Sequence, residues 1–241
     1  MNYQFTEIET HLDFGFGITG EAYYESAELL SGRKKEIQAF QLAEMPIGFL
    51  YRHSIELFLK SLIIIFHVKL QIPYDNEPFD SKRPKIFIND SWVDLYNYHR
   101  IDELYNYWTY LLNTHQSQLK KLSPNDDWSE SQKISRLIPL IAGYDNDSTY
   151  FRYPITKNTS ADGKKHTMQK LNIKNLEQKL HSTEHRKSKM FMVLKDNENE
   201  IVEAFERNEN VLDNVTSALK KVSNYFLCMH VMSRVTLCDK N

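Results

Sequence analysis

The sequence predicts a mainly α-helical protein, a helical bundle around a long central helix with a small β-hairpin insertion. Hydrophobic residues make up 41% of the 241 residues, which is ample for a core. The chain has only 7 glycines and 7 prolines, too few for the turns of a β-sandwich or barrel. Apolar residues also recur every three or four positions over several long stretches. We expect a single domain over residues 1–241.

Charge and cysteine content narrow the classes of partner and compartment. The 30 Lys and Arg against 32 Asp and Glu give a net charge of −2, so no overall basic field attracts nucleic acid. Cys228 and Cys238 have neither disulfide-framework nor metal-site spacing. The apolar run Leu57–Phe66 is too short to span a bilayer, and Met1–Gly20 lacks the features of a secretory signal. We expect a soluble, cytoplasmic protein with no membrane contact, no bound metal and no cofactor.

The first part of the chain predicts a helix pair and a connection. Glu21–Met45 has the apolar spacing of one helix, or of two short helices with a break at Gly32. Ile47–His67 is apolar on most sides, so we expect the central helix there. Gln71–Asn97 is typical of a long connection, with a short extended piece at Lys85–Ile88.

The middle of the chain predicts further helices and the hairpin. His99–Leu122 has the periodicity of a second long helix. Ile134–Gly143 predicts another helix, which Pro139 should kink. Asp162 and the glycine after it form a turn signal between Tyr150–Ile155 and His166–Ile173, so we expect the hairpin near residues 148–173.

The last part of the chain returns to helical spacing. Leu176 and Leu180 are typical of another helix start, and Ile201–Phe205 of one or two helical turns. A long apolar stripe then runs from Val211 to Met232. This final helix should pack on the central helix or on a second subunit.

Three fragments together carry a family resemblance. They are FLYRHSIELFLKSLI at Phe49–Ile63, YHRIDELYNYW at Tyr98–Trp108 and DNDSTYFRYP at Asp145–Pro154. In order and spacing they resemble bacterial HEPN-like proteins, a helical superfamily of ribonuclease toxins, antiphage effectors and non-catalytic nucleotide-binding or docking modules. The resemblance extends from Glu21 to Leu180. It implies a long helix at the first fragment, a second long helix beginning at the next, and a hairpin after the third.

The resemblance implies the fold more strongly than it implies RNA cleavage. HEPN ribonucleases carry an arginine followed, after four to six intervening residues, by a histidine, so that the arginine steadies phosphate charge and the histidine moves a proton. No arginine of this sequence is followed by a histidine at that spacing. His230 precedes Arg234 by one helical turn, which reverses the order. Activity as a metal-independent ribonuclease is therefore left as an open hypothesis.

A row of charged residues interrupts the predicted central helix. Arg52, Glu56 and Lys60 recur every four residues, and His53 lies three before Glu56, so we expect all four on one strip. Buried charges are costly unless paired, so the strip is either a compensated internal network, which we favour, or the floor of a polar cleft. In a cleft, the arginine would hold phosphate, the histidine would move a proton and the glutamate would orient them.

Two other polar groups can complete such a site. His99 and Arg100 begin the second long helix, where they make a tertiary contact or bind phosphate. Asp145 and Arg152 are expected either to pair with each other or to let the arginine face the strip and an anionic ligand. The candidate catalytic residues are Arg52, His53, Glu56 and His99. The candidate ligand-binding residues are Lys60, Arg100, Asp145 and Arg152.

Other features have a weaker functional interpretation. The predicted hairpin is locally basic and is either an RNA contact or a solvated face; its cations are Lys157, Lys164, Lys165, His166 and Lys170. The aromatic residues within Tyr96–Tyr110 exceed what one helix face can bury, so some should meet another element or subunit. His181 and His185 have the spacing of metal ligands but no evident third ligand, so we expect them to be exposed.

Two functions from different classes follow from these features. The fragments and the strip favour a HEPN-like effector or regulator of a bacterial antiviral defence or toxin–antitoxin type system, a homodimer that engages RNA or a nucleotide. The missing Arg-to-His motif favours the alternative, a non-enzymatic helical scaffold that binds a partner protein through aromatic and apolar helix surfaces.

Overall fold

The computed structural model describes residues 5–37, 43–176, 190–207 and 212–238, and within them the chain is mainly α-helical. The helices are α1 (Phe16–Gly32), α2 (Glu44–Leu70), α3 (Ile101–Thr114), α4 (Gln116–Leu122), α5 (Gln132–Ser135), α6 (Ile138–Asp145), α7 (Thr159–Asp162) and α8 (Asp213–Leu237). The strands are β1 (Lys85–Ile88), β2 (Ser91–Asp94), β3 (Met168–Leu171), β4 (Phe191–Lys195) and β5 (Ile201–Arg207). None of the helices in these ranges is long and apolar enough to cross a membrane.

The helix predicted at Ile47–His67 is present as α2 and extends past both predicted ends. It is 27 residues long and buries residues of every face between Ile55 and His67. Such a helix needs neighbours on several sides, and α2 packs against α1, α3 and α8. It ends at Gln71, whose left-handed backbone (φ 56°) stops the helical hydrogen-bond ladder.

Helices α1 and α8 pack against α2 and against each other. Of the two alternatives for Glu21–Met45, the structure has the break at Gly32, where α1 ends, and α1 begins before the predicted segment, at Phe16. Ser54 of α2 and Ser223 of α8 bring their hydroxyl oxygens within 2.5 Å, which small side chains allow. The hydroxyl of Tyr24 donates to Oδ1 of Asn224 at 3.1 Å and so links α1 to α8.

The segment predicted as one long helix at His99–Leu122 is divided after Thr114 into α3 and α4. The apolar spacing continues across the division, so periodicity alone did not reveal it. Two side-chain amides attach α4 to other parts of the chain. Gln116 donates a hydrogen bond to the carbonyl of Trp128, and Gln118 donates one to the carbonyl of Leu70.

Pro139 does not kink a helix, contrary to the prediction. It lies in the first turn of α6, where a missing backbone N–H costs nothing. The preceding helix, α5, has already ended at Ser135. The predicted single helix is therefore two short ones.

The extended piece predicted at Lys85–Ile88 is confirmed as β1, and its partner β2 was not predicted. The two strands pair antiparallel and are joined by Asn89 and Asp90, whose φ angles are 48° and 60°. Two residues with positive φ are typical of a type I′ hairpin turn. The asparagine and aspartate are the sequence signal that was missed.

The hairpin predicted near residues 148–173 is wrong. Tyr150–Ile155 forms turns and no strand, and Asn158 caps α7 by accepting a hydrogen bond from the backbone N–H of Ala161 at 3.1 Å. Asp162, expected in a turn, instead accepts hydrogen bonds from Thr156. These local polar contacts favour a helical turn over a hairpin.

The second predicted strand of that hairpin pairs with a distant part of the chain. β3 pairs antiparallel with β5, and β5 pairs antiparallel with β4, so the sheet order is β3–β5–β4. The helical turns predicted at Ile201–Phe205 are therefore wrong, because this segment is the middle strand. The final helix is confirmed as α8, and Leu180 and Val211 lie outside the described residues.

Candidate functional site

The charged strip of α2 forms a buried ionic network. Glu56 is the shared anion, since it pairs with Arg52 one turn before it and with Lys60 one turn after it. The Lys60 Nζ lies 3.0 Å from Oε1 of Glu56 and donates a second hydrogen bond to the carbonyl of Tyr96 at 2.9 Å. The side chains of Arg52, Glu56 and Lys60 are 0, 1 and 2% exposed.

Arg52 also joins three elements through backbone carbonyl groups. Its Nη2 donates to the carbonyl of His99 and, at 2.8 Å, to that of Asn146, while its Nε donates to the carbonyl of Asp145 at 3.3 Å. The carbonyls of Asp145 and Asn146 lie at the C-terminal end of α6, where the last C=O groups of a helix lack partners within it, and the carbonyl of His99 lies just before α3. The guanidinium therefore fixes both helix ends against α2.

Mutual pairing keeps these buried groups charged. Burial alone would raise the pKa of Glu56, but Arg52 and Lys60 hold that pKa at about 2. Burial lowers the pKa of Lys60, and the neighbouring Glu56 opposes that decrease. Because the strip is sealed from solvent, its geometry favours the internal network over the cleft.

His99 is the member of the network that solvent reaches. Its side chain is 44% exposed, and its Nδ1 lies 2.8 Å from Oε1 of Glu56. An imidazole oriented by a buried carboxylate is a geometry that acid–base sites use, but Arg52, the arginine of this network, is 0% exposed.

His53 does not lie on the strip, contrary to the prediction. It stacks on Phe49 with ring centroids 5.5 Å apart, and Tyr23 meets it edge-on at 4.6 Å. One residue of offset turns a helical side chain by about 100°, which explains the different direction. Burial lowers the pKa of His53 to about 4, and its Nδ1 has no hydrogen-bond partner among the described residues.

Arg152 and Asp145 do not form the pair that the sequence allowed. Asp145 accepts backbone hydrogen bonds from Tyr150 at 2.9 Å and Phe151 at 3.4 Å, and lies 4.0 Å from Arg52. Arg152 is exposed, donates to the hydroxyl of Ser148 at 3.2 Å and lies over the ring of Phe49 at 5.5 Å. Phe49 thus contacts two predicted site residues, Arg152 and His53.

A pocket of about 340 Å³ opens beside Arg152. Its lining includes Met45, Pro46, Phe151, Arg152, Tyr153 and His166. Phe151 can pack so closely on α2 because residue 48 is glycine, where a Cβ would lie 2.5 Å from the phenylalanine ring. Arg152 and His166 are exposed. The pocket therefore combines apolar walls with the guanidinium of Arg152 and the imidazole of His166.

The remaining predicted residues lie apart from this pocket or are already paired. Arg100 is exposed and pairs with Asp102 at 3.5 Å and Glu103 at 3.3 Å in the first turn of α3. Lys165, from the basic segment, is buried and lies 2.7 Å from Asp162. Lys170 pairs with Glu203. The candidate RNA patch is thus smaller than the sequence suggested.

A second buried polar cluster was missed in the sequence. Asp13 accepts hydrogen bonds from the hydroxyl of Ser61 at 2.6 Å and the backbone N–H of Gly17 at 2.9 Å. Nε2 of His230 lies 3.6 Å from the same carboxylate, and its Nδ1 lies 3.5 Å from Glu21. These residues come from opposite ends of the chain, so no local pattern could have indicated the cluster.

The second cluster links α1, α2 and α8 through hydrogen bonds and opposite charges. Burial alone would lower the pKa of His230, but Asp13 and Glu21 raise it. His230 in turn helps to hold the pKa of Asp13 well below its ordinary value, against the effect of burial. Ser61 donates to the carboxylate and not to the imidazole, so this is not the arrangement of a serine nucleophile.

In the described part of the chain, no group of three or more His, Cys, Asp or Glu side chains is arranged so that it could hold a metal ion. The pair His181 and His185 lies outside the described residues. Searches against protein-family models, curated proteins and solved structures find no match to this chain.

Proposed function

We propose that this chain is a HEPN-like helical protein that binds a nucleotide-class anion in the Arg152 pocket, as an effector or regulator of a bacterial defence or toxin–antitoxin type system. The observation that carries the proposal is the pocket itself. It combines an exposed guanidinium, which suits a phosphate group, with aromatic walls from Phe151 and Tyr153, which suit a base. In this proposal α2 is the central helix of a bundle.

The proposed activity is binding without RNA cleavage. The sequence lacks the Arg-to-His spacing of HEPN ribonucleases, and the arginine and glutamate of the candidate catalytic set are buried and paired. A residue sealed from solvent cannot contact a phosphodiester unless the network opens. Binding at Arg152 requires no such opening.

Calorimetric titration with ATP, AMP and inorganic phosphate tests the binding site. Arg152→Ala should weaken nucleotide binding by about tenfold or more, because a charge-assisted hydrogen bond to phosphate is lost. Tyr153→Ala should weaken AMP binding more than phosphate binding, since only the nucleotide has a base to stack. Arg136→Ala replaces an exposed arginine outside the pocket and serves as the matched control.

Two results would refute the proposed site. One is equal affinity in the Arg152→Ala and Arg136→Ala variants, and the other is no heat from any probe at millimolar concentration. Incubation with labelled total tRNA separates the enzymatic alternative. If the wild-type chain cleaves tRNA and the His53→Ala and His99→Ala variants do not, with circular dichroism unchanged, the chain is a ribonuclease and the proposal of binding without cleavage is wrong.

The homodimer expected from the sequence is part of this proposal. Sedimentation velocity distinguishes a species of 28.6 kDa from one of twice that mass. A monomer at all concentrations would remove the dimer from the proposal and leave the pocket untouched.

A further inference from the structure

Helices α1 and α8 border a groove of about 660 Å³ on the side of the molecule that carries Cys228. Its lining comes from α1 and α8 with one residue, Asp126, from the connection after α4. We refer to it as the α1–α8 groove. Neither the Arg152 pocket nor the network of Arg52, Glu56 and Lys60 uses this surface, so an occupant here would give the protein a function beyond the proposed nucleotide binding.

The floor of the α1–α8 groove is an apolar stripe at helical spacing. Leu227, Val231 and Val235 follow each other every four residues along α8 and all line the groove. Val231 is 44% exposed and Val235 is 55% exposed, which is high for valines on a packed helix. At 1.5 Å per residue the stripe is about 12 Å long, or two helical turns. This length matches the contact face of a short helix.

The charged residues of the groove all have one sign. Glu21, Glu25 and Asp126 contribute carboxylates, and none of the described residues that line it is Lys, Arg or His. Glu25 is exposed, and Glu21 is held in place by the buried His230, 3.5 Å away. An apolar floor lined also by acidic residues complements a surface that is apolar in the middle and basic at its edges.

A second copy of this chain fits the groove poorly. A twofold interface brings the same patch of both subunits together, so three carboxylates of one copy would face three of the other. Like charges brought together in an interface oppose association. The charge pattern therefore selects a different partner.

We propose that the α1–α8 groove binds an amphipathic helix of a partner protein, with leucine-type residues on the contact face and lysine or arginine along its edges. This is the helix-in-groove mode of recognition, in which anchors three and four residues apart enter an apolar groove. The acidic residues then set the sign of the partner's flanking charge.

Two synthetic peptides of the same length test the proposal. One carries leucines at every third and fourth position with flanking lysines, and the other replaces each lysine by glutamate. In fluorescence anisotropy the lysine peptide should bind the full chain and the glutamate peptide should not. Val231→Asp and Val235→Asp should each weaken binding about tenfold or more, because they place a charge in the apolar contact. Glu25→Lys should weaken binding of the lysine peptide and allow the glutamate peptide to bind.

Val202→Asp changes a valine of similar exposure, 50%, on β5 and should leave binding unchanged. Equal binding of both peptides, or equal affinity in the Val231→Asp and Val202→Asp variants, would overturn the proposal. So would a dimer in sedimentation velocity that only the groove variants dissociate, because the occupant would then be a second copy. Circular dichroism confirms that each variant is folded.

Discussion

Glu56→Gln should destabilise the protein strongly, although the two side chains have the same shape. The carboxylate is 1% exposed and is the common partner of Arg52 and Lys60. A neutral amide in its place leaves two buried cations without their shared anion. The substitution therefore tests whether the strip of α2 is a compensated network.

Two independent routes give the size of the effect. Removing one partner of a buried ion pair costs about 3–5 kcal/mol. On folding, the pKa of Glu56 falls from 4.5 to about 2, and each pKa unit corresponds to about 1.4 kcal/mol, so the charged form contributes about 3 kcal/mol. The routes meet at about 3 kcal/mol. For a chain of this length that lowers Tm by roughly 6–12 °C.

Thermal unfolding followed by circular dichroism measures this shift, with Glu25→Gln as the control at an exposed glutamate. The pKa of Glu56 is depressed in the folded state, so its contribution is present above pH 4.5 and is lost as the pH falls towards 2. The gap between wild type and variant should narrow over that range. A Tm within about 1 °C of the control at pH 7 would refute the network and revive the cleft.

Three further predictions concern two buried histidines and two glycines. Burial lowers the pKa of His67 from 6.5 to about 4, so the stabilisation from the neutral imidazole is present above pH 6.5 and is lost as the pH falls towards 4. In His67→Gln the free energy of unfolding, measured with urea, should therefore change less with pH over that range. The same pH slope in the variant and the wild type would contradict this. The pKa of His230 is raised, so its contribution to stability is present below pH 6.5 and is lost as the pH rises through the raised value. In His230→Gln the free energy of unfolding should no longer fall above pH 6.5. If it still falls there, the charge pairing of His230 is not its cause. Gly17→Ala places a Cβ against the His230 ring and should cost about 1–3 kcal/mol, whereas Gly143→Ala enters open space in α6 and should gain up to about 1 kcal/mol; Tm shifts of the same sign would refute this contrast.

The charged strip illustrates the limit of local reasoning. Four-residue spacing placed Arg52, Glu56 and Lys60 on one face, and the structure confirms that arrangement. Whether the face is open or sealed depends on what covers it. The carbonyl groups of His99 and Asn146 do so, and both come from distant parts of the chain.

The sequence by itself determined the helices α2 and α8, since helical hydrogen bonds and apolar spacing are local properties, although it joined α3 and α4 into one helix. It placed most of α2 and α8 and offered Gly32, where α1 ends, as a possible break. Strand pairing joins distant segments, so only the tertiary structure decided that β3 pairs with β5. Tertiary structure also brought Asp13 to His230 and opened the groove between α1 and α8, because such contacts depend on helix packing and leave no periodic trace in the sequence.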